Sequence, residues 1–430
     1  MMMQNIRDKV RNRTCVICIV GLGQVGLSLA KAFSKHLKVI GYDIDHAKVE
    51  RLRRNFDTLL RGKEEKLVLT TDPSGIKEAD FILVSVPTPV TRSKEPDLSH
   101  MISAMQIIGK NLKMGSIVVL ESTVYPGVTE EIAKPILEKE SGFICGEDFK
   151  IGYSPERINP GDDEHTVEKV TKIVAGMDEE TTDILADLYS LITTVYKAKD
   201  IKTAEAAKLV ENIQRDLNIA LMNELAIIFN LMGIDTKAVL DAAATKWNFH
   251  RYTPGLVGGY CIPAAPYYLI YKSRELGYIP KLIFTGRIVN ESMPKYICLT
   301  IVKSLSKVGK VVKGSNILIM GLTYKENVPD MRGTLVKEVV KELKEFDVNV
   351  FGYDPLLTKD EVKELEVMPL DESVNIKFDC IIVATAHDEF KKMKLDNILK
   401  IVNEKPVLID VKEIFSKEEA EKKGFYYVRL

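Results

Sequence analysis

A cysteine and a run of glycines are the residues of this chain whose types and spacing could do chemistry. Gly21-Leu-Gly-Gln-Val-Gly26 has the spacing with which dinucleotide-binding proteins hold a pyrophosphate. Much later, Val-Gly-Gly-Tyr-Cys (257–261) places the thiol of Cys261 directly behind a Gly-Gly pair. A thiol that works with a nicotinamide cofactor can hold the intermediate while an alcohol is oxidised past the aldehyde to a carboxylic acid. The two motifs together predict covalent catalysis of such an oxidation.

Glycine spacing alone is a weak signal, but the elements around it are visible in the sequence. The apolar run Val16–Val20 precedes the glycines, and a helical pattern follows them. Gly21 permits the tight turn, Gly23 lets the pyrophosphate approach the backbone, and Gly26 lets helix and strand pack closely, so that the helix N-terminus faces the phosphates. The next strand ends at Asp43, whose carboxylate is placed to accept hydrogen bonds from the adenosine ribose. We therefore predict NAD, because a 2′-phosphate of NADP would meet that carboxylate.

Three further polar segments follow apolar strands and should lie at the carboxyl edge of the same sheet. They are Val86-Pro87-Thr88-Pro89, Glu121-Ser122-Thr123 and Ser154-Pro155-Glu156-Arg157. Glu156 could serve as a general base, although a neighbouring Glu–Arg pair is also typical of a solvated surface. A long predicted helix carries a polar stripe that could line a cleft or face solvent. Its members are Lys208, Glu211, Asn212 and Arg215.

The order of predicted elements indicates how the chain is organised. Strands alternate with helical patterns at first, which predicts a doubly wound parallel sheet in residues 1–199. Residues 203–232 contain neither Gly nor Pro and repeat apolar residues at helical spacing, so we predict one long helix there. More helices complete a central domain, 200–310, and the Gly- and Pro-rich loop at 253–266 that carries the thiol interrupts them.

A second sheet is predicted in the last third of the chain. A strand–glycine pattern returns at 316–321, and Val348–Asp354 resembles the second strand of the first domain. We predict a second nucleotide-binding domain at 311–430, and because it lacks the three-glycine fingerprint we expect a different nucleotide. The predicted fold class is α/β, with two Rossmann-like doubly wound parallel-sheet domains joined by a helical central domain with one long helix.

Composition and charge narrow the class of protein. The 430 residues are 46% apolar and 28% charged with a formal net charge of -1, which is ordinary for a soluble globular protein and indicates no nucleic-acid partner. Basic residues at positions 7–13 are interpreted as a frayed end. Six scattered cysteines fit no disulfide framework, and Cys15-Val-Ile-Cys18 lacks a second ligand pair, so we expect a reducing cytoplasm and no metal. No signal peptide or membrane span is indicated.

Several motifs occur together in the order found in one enzyme family. They are Gly21-Leu-Gly-Gln-Val-Gly-Leu, Val86-Pro-Thr-Pro, Glu121-Ser-Thr-Val-Tyr-Pro-Gly, Ser154-Pro-Glu-Arg, Pro254-Gly-Leu-Val-Gly-Gly-Tyr-Cys-Ile-Pro and Gly321-Leu-Thr-Tyr-Lys-Glu-Asn. With them the chain resembles the UDP-glucose/UDP-N-acetylhexosamine 6-dehydrogenase family over nearly its whole length. Lys-Trp-Asn-Phe (246–249) and Tyr-Lys-Glu-Asn-Val-Pro-Asp (324–330) are similar to the branch that acts on UDP-N-acetylglucosamine or its galacto epimer, with the UDP-N-acetylmannosamine branch a close second.

The resemblance implies an NAD-dependent, four-electron oxidation of C6 of a UDP-N-acetylhexosamine, UDP-N-acetylglucosamine first, to the uronic acid. Cys261 would form a thiohemiacetal and then a thioester. Lys208 and Asn212 would steady the oxyanion at C6. Glu156 would assist the water that hydrolyses the thioester, and Thr123 would help to hold that water. The long helix would form the core of a homodimer.

The resemblance also implies a cofactor site and a substrate site. The cofactor site would comprise Gly21, Gly23, Gln24, Val25, Gly26, Asp43, Lys48, Pro87, Thr88 and Thr123. The substrate site would comprise Arg157, Lys208, Asn212, Arg215, Arg251, Gly258, Gly259, Tyr260 and Lys325. Arg251 could come from a neighbouring subunit, and Lys325 would reach the uridine diphosphate.

The chain departs from the family beside the expected nucleophile. Tyr260 stands where the N-acetylhexosamine branch usually has His, Ala264 where it has Val or Lys, and Ala265 where most members carry an Asp of the proton network. Losing a general-base contribution costs about a hundredfold or more in rate. Three alternatives stay open: a working enzyme with a rearranged network, a slow enzyme, or a catalytically impaired protein that binds nucleotide sugar or NAD. A two-electron β-hydroxyacid dehydrogenase is a further alternative, against which Cys261 and the C-terminal domain argue.

Overall fold

The computed structural model describes residues 2–59, 66–158, 161, 164, 166–370 and 376–430. Its chain divides into two compact units. The first unit comprises Met1–Glu211 and Tyr267–Ile279, and the second unit comprises Asn212–Pro266 and Pro280–Leu430. No helix in the described stretches is long and apolar enough to cross a membrane.

The first unit contains a sheet of eight strands among its described residues. They are β1 (Val16–Val20), β2 (Lys38–Tyr42), β3 (Leu67–Thr70), β4 (Phe81–Val84), β5 (Ile117–Leu120), β6 (Lys150–Tyr153), β7 (Lys172–Gly176) and β8 (Val195–Lys197). Their spatial order is β3-β2-β1-β4-β5-β6-β7-β8, and the order reverses between β1 and β4, the kind of position where such sheets bind ligands. Because β7 runs antiparallel to β6, its first residue lies at the edge where β5 and β6 end.

Helices cover the faces of this sheet. They are α1 (Met2–Arg11), α2 (Gln24–Ser34), α3 (His46–Leu59), α4 (Ser99–Lys110), α5 (Lys134–Ser141) and α6 (Glu179–Tyr189), with a 3-10 turn at Pro73–Glu78 and a π turn at Thr129–Ala133. The interpretation of positions 7–13 as a frayed end is wrong, because α1 packs on α6. Ile6 and Val10 are buried in the core, while Arg7 on the outer face pairs with Asp187 at 3.0 Å.

The predicted long helix is confirmed. α7 spans Ile201–Met232, and Gly233 with a left-handed backbone follows it. α8 (Thr236–Ala243), α9 (Cys261–Glu275) and α10 (Lys281–Lys307) come next. The prediction of a loop as far as Pro266 is wrong, because α9 begins at Cys261. Pro263 falls in the first turn of α9, where backbone N–H groups have no intrahelical partner, so the helix tolerates it there.

The second unit contains the second Rossmann-like sheet, as predicted. Its strands are β9 (Asn316–Met320), β10 (Asn349–Tyr353), β11 (Met368–Pro369), β12 (Phe378–Val383), β13 (Val402–Asp410) and β14 (Tyr426–Arg429). Its helices are α11 (Val336–Lys344), α12 (Lys359–Glu364), α13 (Asp388–Lys391), α14 (Leu395–Leu399) and α15 (Lys417–Lys422). The strand order β11-β10-β9-β12-β13-β14 repeats the order of β1 to β6, and all five pairs are parallel. Both faces of this sheet carry buried apolar clusters.

Candidate active site

The turn between β1 and α2 has the geometry that a pyrophosphate needs. Gly21 has a φ of +95°, and its N–H donates to the carbonyl of Tyr42 over 2.8 Å. A side chain at Gly26 would place its Cβ 1.9 Å from the Gly21 oxygen, so only glycine lets α2 start so close to β1. A Cβ at Gly23 would meet nothing within 4 Å, so this backbone borders open space at the start of α2, which begins at Gln24. The neighbouring Val25 packs against the core of this unit.

Asp43 lies directly after β2 and organises the same turn. Its carboxylate accepts hydrogen bonds from the N–H of Leu22 at 2.8 Å, the N–H of Asp45 at 3.0 Å and the ammonium of Lys48 at 2.8 Å. Burial acts to raise the pKa of Asp43, but these donors outweigh it and hold that pKa below its ordinary value. The carboxylate is therefore ionised at neutral pH and can accept a further hydrogen bond from a ribose hydroxyl.

The segments that follow β4 and β5 are tied together. The Thr88 hydroxyl donates to the carbonyl of Thr123 at 2.7 Å, and the Ser122 hydroxyl donates to the carbonyl of Val86 at 2.7 Å. The Tyr268 hydroxyl donates a hydrogen bond to the Thr88 carbonyl at 2.8 Å. The predicted cofactor residues of these two segments thus form one rigid edge, on which Pro87 is exposed.

A buried group of charges lies where β5 and β6 end. Glu156 is 8% exposed, and one of its carboxylate oxygens accepts the N–H groups of Arg157 and Ile158, each at 2.6 Å. The ammonium of Lys172, the first residue of β7, lies 2.5 Å from one oxygen of Glu121 and 3.5 Å from the other oxygen of Glu156. The possibility that Glu156 is a solvated surface group is therefore wrong.

The positive charge of Lys172 offsets the negative charges of the two buried carboxylates in this group. Burial acts to lower the pKa of Lys172, but the carboxylates of Glu121 and Glu156 outweigh it and raise that pKa. Burial raises the pKa of Glu121, against the opposing effect of Lys172. The Tyr189 hydroxyl also donates to Glu121. Sequence reasoning missed Lys172, although a lysine that opens the apolar run Lys-Ile-Val-Ala-Gly was a signal that could have found it.

The residues of the polar stripe on α7 differ in their exposure to solvent. Lys208 is 8% exposed, and its ammonium donates to the main-chain oxygen of Glu156. Asn212, one turn later, is equally buried, so the solvated-face alternative is wrong for both. Arg215 is exposed. Arg157 donates to the carbonyl of Thr171 at 2.8 Å and pairs with Glu211 of the stripe at 2.8 Å, so its guanidinium has partners within the first unit.

Cys261 differs from the other five cysteines. It is exposed at the first position of α9, and the Asn212 amide lies 3.4 Å from its carbonyl oxygen. The other thiols are buried, and burial raises the pKa of Cys15, Cys18 and Cys298 to about 12. Those thiols therefore stay protonated at neutral pH and are not available as nucleophiles.

The backbone before Cys261 is fixed by another loop of the second unit. The N–H of Gly259 donates to the carbonyl of Gly333 at 3.0 Å. The half-exposed ring of Tyr260 lies beneath the guanidinium of Arg332, 5.9 Å from ring centroid to carbon. Ala265 is fully buried, so the position where the family carries Asp offers no polar group at all.

A cavity of about 230 Å³ opens at the carboxyl edge of the second sheet. It is lined by Leu256, Gly258, Thr323, Tyr324, Lys325, Glu326, Thr334, Leu335, Val336, Ala384, Thr385 and Lys412. The ammonium of Lys412 makes no hydrogen bond or ion pair with the described residues, and burial lowers its pKa. The carboxylate of Glu326, which lines the same cavity, acts to raise that pKa but does not outweigh burial, and a cation desolvated in this way favours an anionic ligand. Sequence reasoning missed Lys412, although it stands just beyond an apolar strand, where ligand-binding residues are expected.

Arg251 borders a second open cavity of about 360 Å³ that shares Lys412 with the first. Its guanidinium forms an ion pair with Asp241 within the second unit. The described residues contain no group of three or more His, Cys, Asp or Glu side chains that could hold a metal ion.

Comparison with known proteins identifies the family of this chain. Three domain models of the UDP-glucose/GDP-mannose dehydrogenase family match it: the NAD binding domain over residues 15–193, the central domain over 202–292 and the UDP binding domain over 318–417. Protein CapL of Staphylococcus aureus is 46% identical over 411 residues, which cover 94% of this chain and 97% of CapL. The UDP-N-acetyl-D-glucosamine 6-dehydrogenase of Pseudomonas aeruginosa is 45% identical, with 94% and 98% covered.

A solved structure is similar over the same extent. The UDP-D-ManNAc dehydrogenase of Pyrococcus horikoshii superposes with a TM-score of 0.84 and 28% identity, covering 96% of this chain and 98% of that one. The expected family and the expected NAD cofactor are thereby confirmed, and residues 318–417 match the UDP binding domain of that family. The chain belongs to the UDP-glucose/GDP-mannose dehydrogenase family.

Proposed function

We propose that this chain is an NAD-dependent UDP-N-acetylhexosamine 6-dehydrogenase in which the thiol of Cys261 carries the sugar between two oxidations. One observation supports this more than any other. Cys261 is the exposed thiol among six cysteines, at the first position of a helix, with the amide of Asn212 beside its carbonyl. NAD, when bound, accepts a hydride from C6 in each oxidation, so two NAD are reduced per sugar.

Each step leaves atoms and charges balanced. The first oxidation removes a hydride and the hydroxyl proton from C6 and gives the aldehyde. The sulfur of Cys261 then bonds to the aldehyde carbon, and the thiol proton ends on the hemiacetal oxygen. Loss of that proton and a second hydride gives the thioester. Water adds to the thioester carbon, the C–S bond breaks, the sulfur regains a proton, and the carboxylate leaves.

The polar and charged groups of the predicted catalytic set suit the roles we assign them. The ammonium of Lys208 and the amide of Asn212, one turn apart on α7, would stabilise the oxyanion that develops at C6. Two backbone N–H groups occupy one oxygen of Glu156, and we assign the other oxygen, 3.5 Å from the Lys172 ammonium, to orienting the hydrolytic water. We assign Thr123 to the same water and keep Arg215 and Arg251 as contacts for the sugar.

The uridine diphosphate would occupy the cavity of the second unit. Lys325 and Lys412 both line it, so two lysine side chains border the space that we propose for the phosphates. For turnover, a sugar whose diphosphate is bound in this cavity must place its C6 next to the sulfur of Cys261. We propose the functional parts 1–199, 200–310 and 311–430 for cofactor, catalytic and UDP-sugar binding.

UDP-N-acetylglucosamine is the substrate we favour. The chain is 45% identical to the Pseudomonas UDP-N-acetyl-D-glucosamine 6-dehydrogenase, against 28% for the Pyrococcus UDP-D-ManNAc enzyme. NADH release should be measured with UDP-glucose, UDP-GlcNAc, UDP-GalNAc and UDP-ManNAc. We expect the highest kcat/KM with UDP-GlcNAc and two NADH per sugar. One NADH per sugar would refute the four-electron oxidation, and a clear preference for UDP-ManNAc would select the runner-up substrate.

A Cys261→Ser variant tests the role of the thiol, with Cys145→Ser as the matched control. Cys145 is a buried thiol of the first unit, so we expect its variant to release two NADH per sugar as the wild type does. The Cys261→Ser variant cannot form a thioester and should lose that yield. An unchanged yield from Cys261→Ser would refute covalent catalysis.

A catalytically impaired binding protein is the second candidate, and the fully buried Ala265 favours it. Such a protein would bind UDP-GlcNAc in a calorimeter yet form no NADH over hours. Turnover that appears only after Ala265→Asp would identify a decayed enzyme. Turnover by the wild type would exclude this candidate.

We also propose a homodimer formed through α7. Leu221, Ile228 and Leu231 recur at helical spacing on this helix, and they are 50%, 43% and 84% exposed. An apolar stripe of this kind marks an interface. Sedimentation of the wild type should give twice the monomer mass, and Ile228→Glu with Leu231→Glu should give the monomer. A monomeric wild type would contradict the proposal.

A further inference from the structure

The carboxylate of Asp354 is saturated with internal hydrogen bonds. Asp354 follows β10 and its side chain is fully buried. It accepts the N–H of Leu322 at 2.7 Å, the N–H of Thr323 at 3.2 Å and the N–H of Leu356 at 3.0 Å. The fourth donor is His387, whose Nε2 lies 2.9 Å away. This carboxylate therefore has no free position for a ligand, and its bonds fix the turn that follows β9.

His387 joins that carboxylate to the far end of the same turn. The N–H of Asn327 donates to Nδ1 of His387 at 2.9 Å, so the ring proton is on Nε2. Nε2 faces both Asp354 and the Thr323 hydroxyl, which is 3.1 Å away. His387 is 1% exposed and lies outside the cavity lining, so it cannot touch a ligand itself.

The turn that His387 holds is the wall of the nucleotide cavity. Thr323, Lys325 and Glu326 line the cavity, and the Thr323 hydroxyl donates to the Lys325 carbonyl at 3.0 Å. Asn327 closes the turn with a φ of +59°, a conformation that few non-glycine residues adopt without support. The support comes from His387 on its backbone and from its own side chain, which accepts the N–H of Asp388 at 3.0 Å.

We propose that His387 is a positioning residue for the UDP-sugar, which holds residues 322–327 so that Lys325 faces the diphosphate. This role rests on the UDP-sugar site proposed above. Removing the imidazole deletes two hydrogen bonds, leaves the Asn327 N–H without its acceptor and removes one of the four donors to the Asp354 carboxylate. The turn then samples conformations in which Lys325 points elsewhere, so nucleotide affinity falls while cofactor binding in the first unit is untouched.

Two variants delete these bonds with different shapes, His387→Phe and His387→Leu, and whichever folds is measured. The matched control is Phe390→Leu. Its ring packs on His387 with centroids 5.6 Å apart, so the control loosens the same core without removing a hydrogen bond. Calorimetric titration with UDP and the KM for NAD are the readouts, and the thermal midpoint of each variant is recorded.

We expect the His387 variants to bind UDP about tenfold more weakly, which corresponds to the loss of one to two hydrogen bonds, with the KM for NAD within about twofold of wild type. Phe390→Leu should bind UDP normally even at a similar loss of thermal midpoint. Unchanged UDP affinity in a folded His387 variant would overturn the role of His387, as would an equal loss in Phe390→Leu. Failure of the wild type to bind UDP would instead overturn the UDP-sugar site.

Discussion

The two Rossmann-like sheets begin alike and then diverge after the first strand. β1 and β9 are each followed directly by a glycine with positive φ, Gly21 at +95° and Gly321 at +85°. Each glycine donates its N–H to the tyrosine that ends the neighbouring strand, at 2.8 Å and 2.9 Å. In the first sheet α2 begins at Gln24, whereas in the second sheet a loop fills the space until α11 begins at Val336.

This difference changes how a phosphate can be bound. A helix that starts at the glycine turn presents backbone N–H groups and the positive end of its dipole. A long loop instead presents side chains, and here it brings Lys325 to the cavity that Lys412 also borders. The same strand order can therefore hold two different nucleotides, because the ligand contacts come from the connection and not from the sheet.

Asp43 and Asp354, the acids that follow β2 and β10, differ in a similar way. Asp43 takes two backbone donors and Lys48, which leaves acceptor capacity for a ribose. Asp354 takes three backbone donors and His387, which leaves none. The sequence similarity of Tyr-Asp at both places predicts the shared turn correctly but cannot tell a ligand contact from an internal one.

The largest predicted effect is the loss of NAD binding at the first sheet when Gly26 is substituted. A Cβ there collides with the Gly21 oxygen, so Gly26→Ala must displace α2 from the turn. We expect kcat/KM for NAD to fall about a hundredfold or more, which is the order expected for about 3 kcal/mol of strain. UDP affinity, measured by calorimetry, should not change.

Gly23→Ala is the matched control for that change. The protein leaves room for a Cβ at Gly23, so the thermal midpoint should stay at its wild-type value while NAD binding weakens. A Gly26→Ala variant that kept its KM for NAD would contradict the NAD site at this turn. A variant that lost UDP affinity in parallel would show that the two sheets are not independent sites.

Lys412→Met should have the next largest effect and act on the second sheet alone. It removes an ammonium group that lines the cavity and makes no hydrogen bond or ion pair with the described residues, and charge-assisted contacts contribute about 1.5–3 kcal/mol. We expect the dissociation constant for UDP to rise about tenfold or more, with the KM for NAD unchanged. Lys417→Met, which removes a half-buried lysine of α15 outside the cavity lining, should leave both values unchanged. Equal losses in the two variants would contradict a specific role for Lys412.

The smallest effect expected is a pH-dependent loss of stability. Burial acts to raise the pKa of Asp354, but His387 and the N–H groups of Leu322 and Leu356 hold it below its ordinary value. The carboxylate therefore stabilises the folded state fully above its unfolded pKa of about 3.9, and that contribution disappears as pH falls through the lower folded value. The thermal midpoint of Asp354→Asn should lie below wild type at pH 7, and the gap should narrow below about pH 4.

Asp43→Asn provides the comparison for that measurement. The pKa of Asp43 is also lowered, but fewer donors hold it. We expect the same sign and a smaller gap at pH 7. A gap for Asp354→Asn that stays constant down to pH 3 would show that the carboxylate charge has no part in holding the turn.

The elements set by local pattern were predictable from the sequence, and those set by distant contacts were not. Strands ending in glycine or acid, and the Gly- and Pro-free α7, carry strong periodic signals. Lys172 opens an apolar run that marks a strand, but it reaches the site only because β7 reverses direction, and no local pattern indicates that reversal. Lys412 is one of 60 lysines and arginines, and its burial beside the cavity exists only in the folded chain. The start of α9 at Cys261 was hidden by surrounding glycines and prolines.

The most direct test of the chemistry is to trap the sugar on the sulfur. Glu156→Gln keeps the shape of the side chain but cannot serve as a base for the hydrolytic water, so the thioester should accumulate. The variant is mixed with NAD and UDP-GlcNAc, quenched in acid within seconds, and digested for mass spectrometry. We predict that the peptide containing Cys261 carries the acyl mass of the oxidised UDP-sugar. Steady release of two NADH per sugar with no adduct at Cys261 at any time would contradict covalent catalysis.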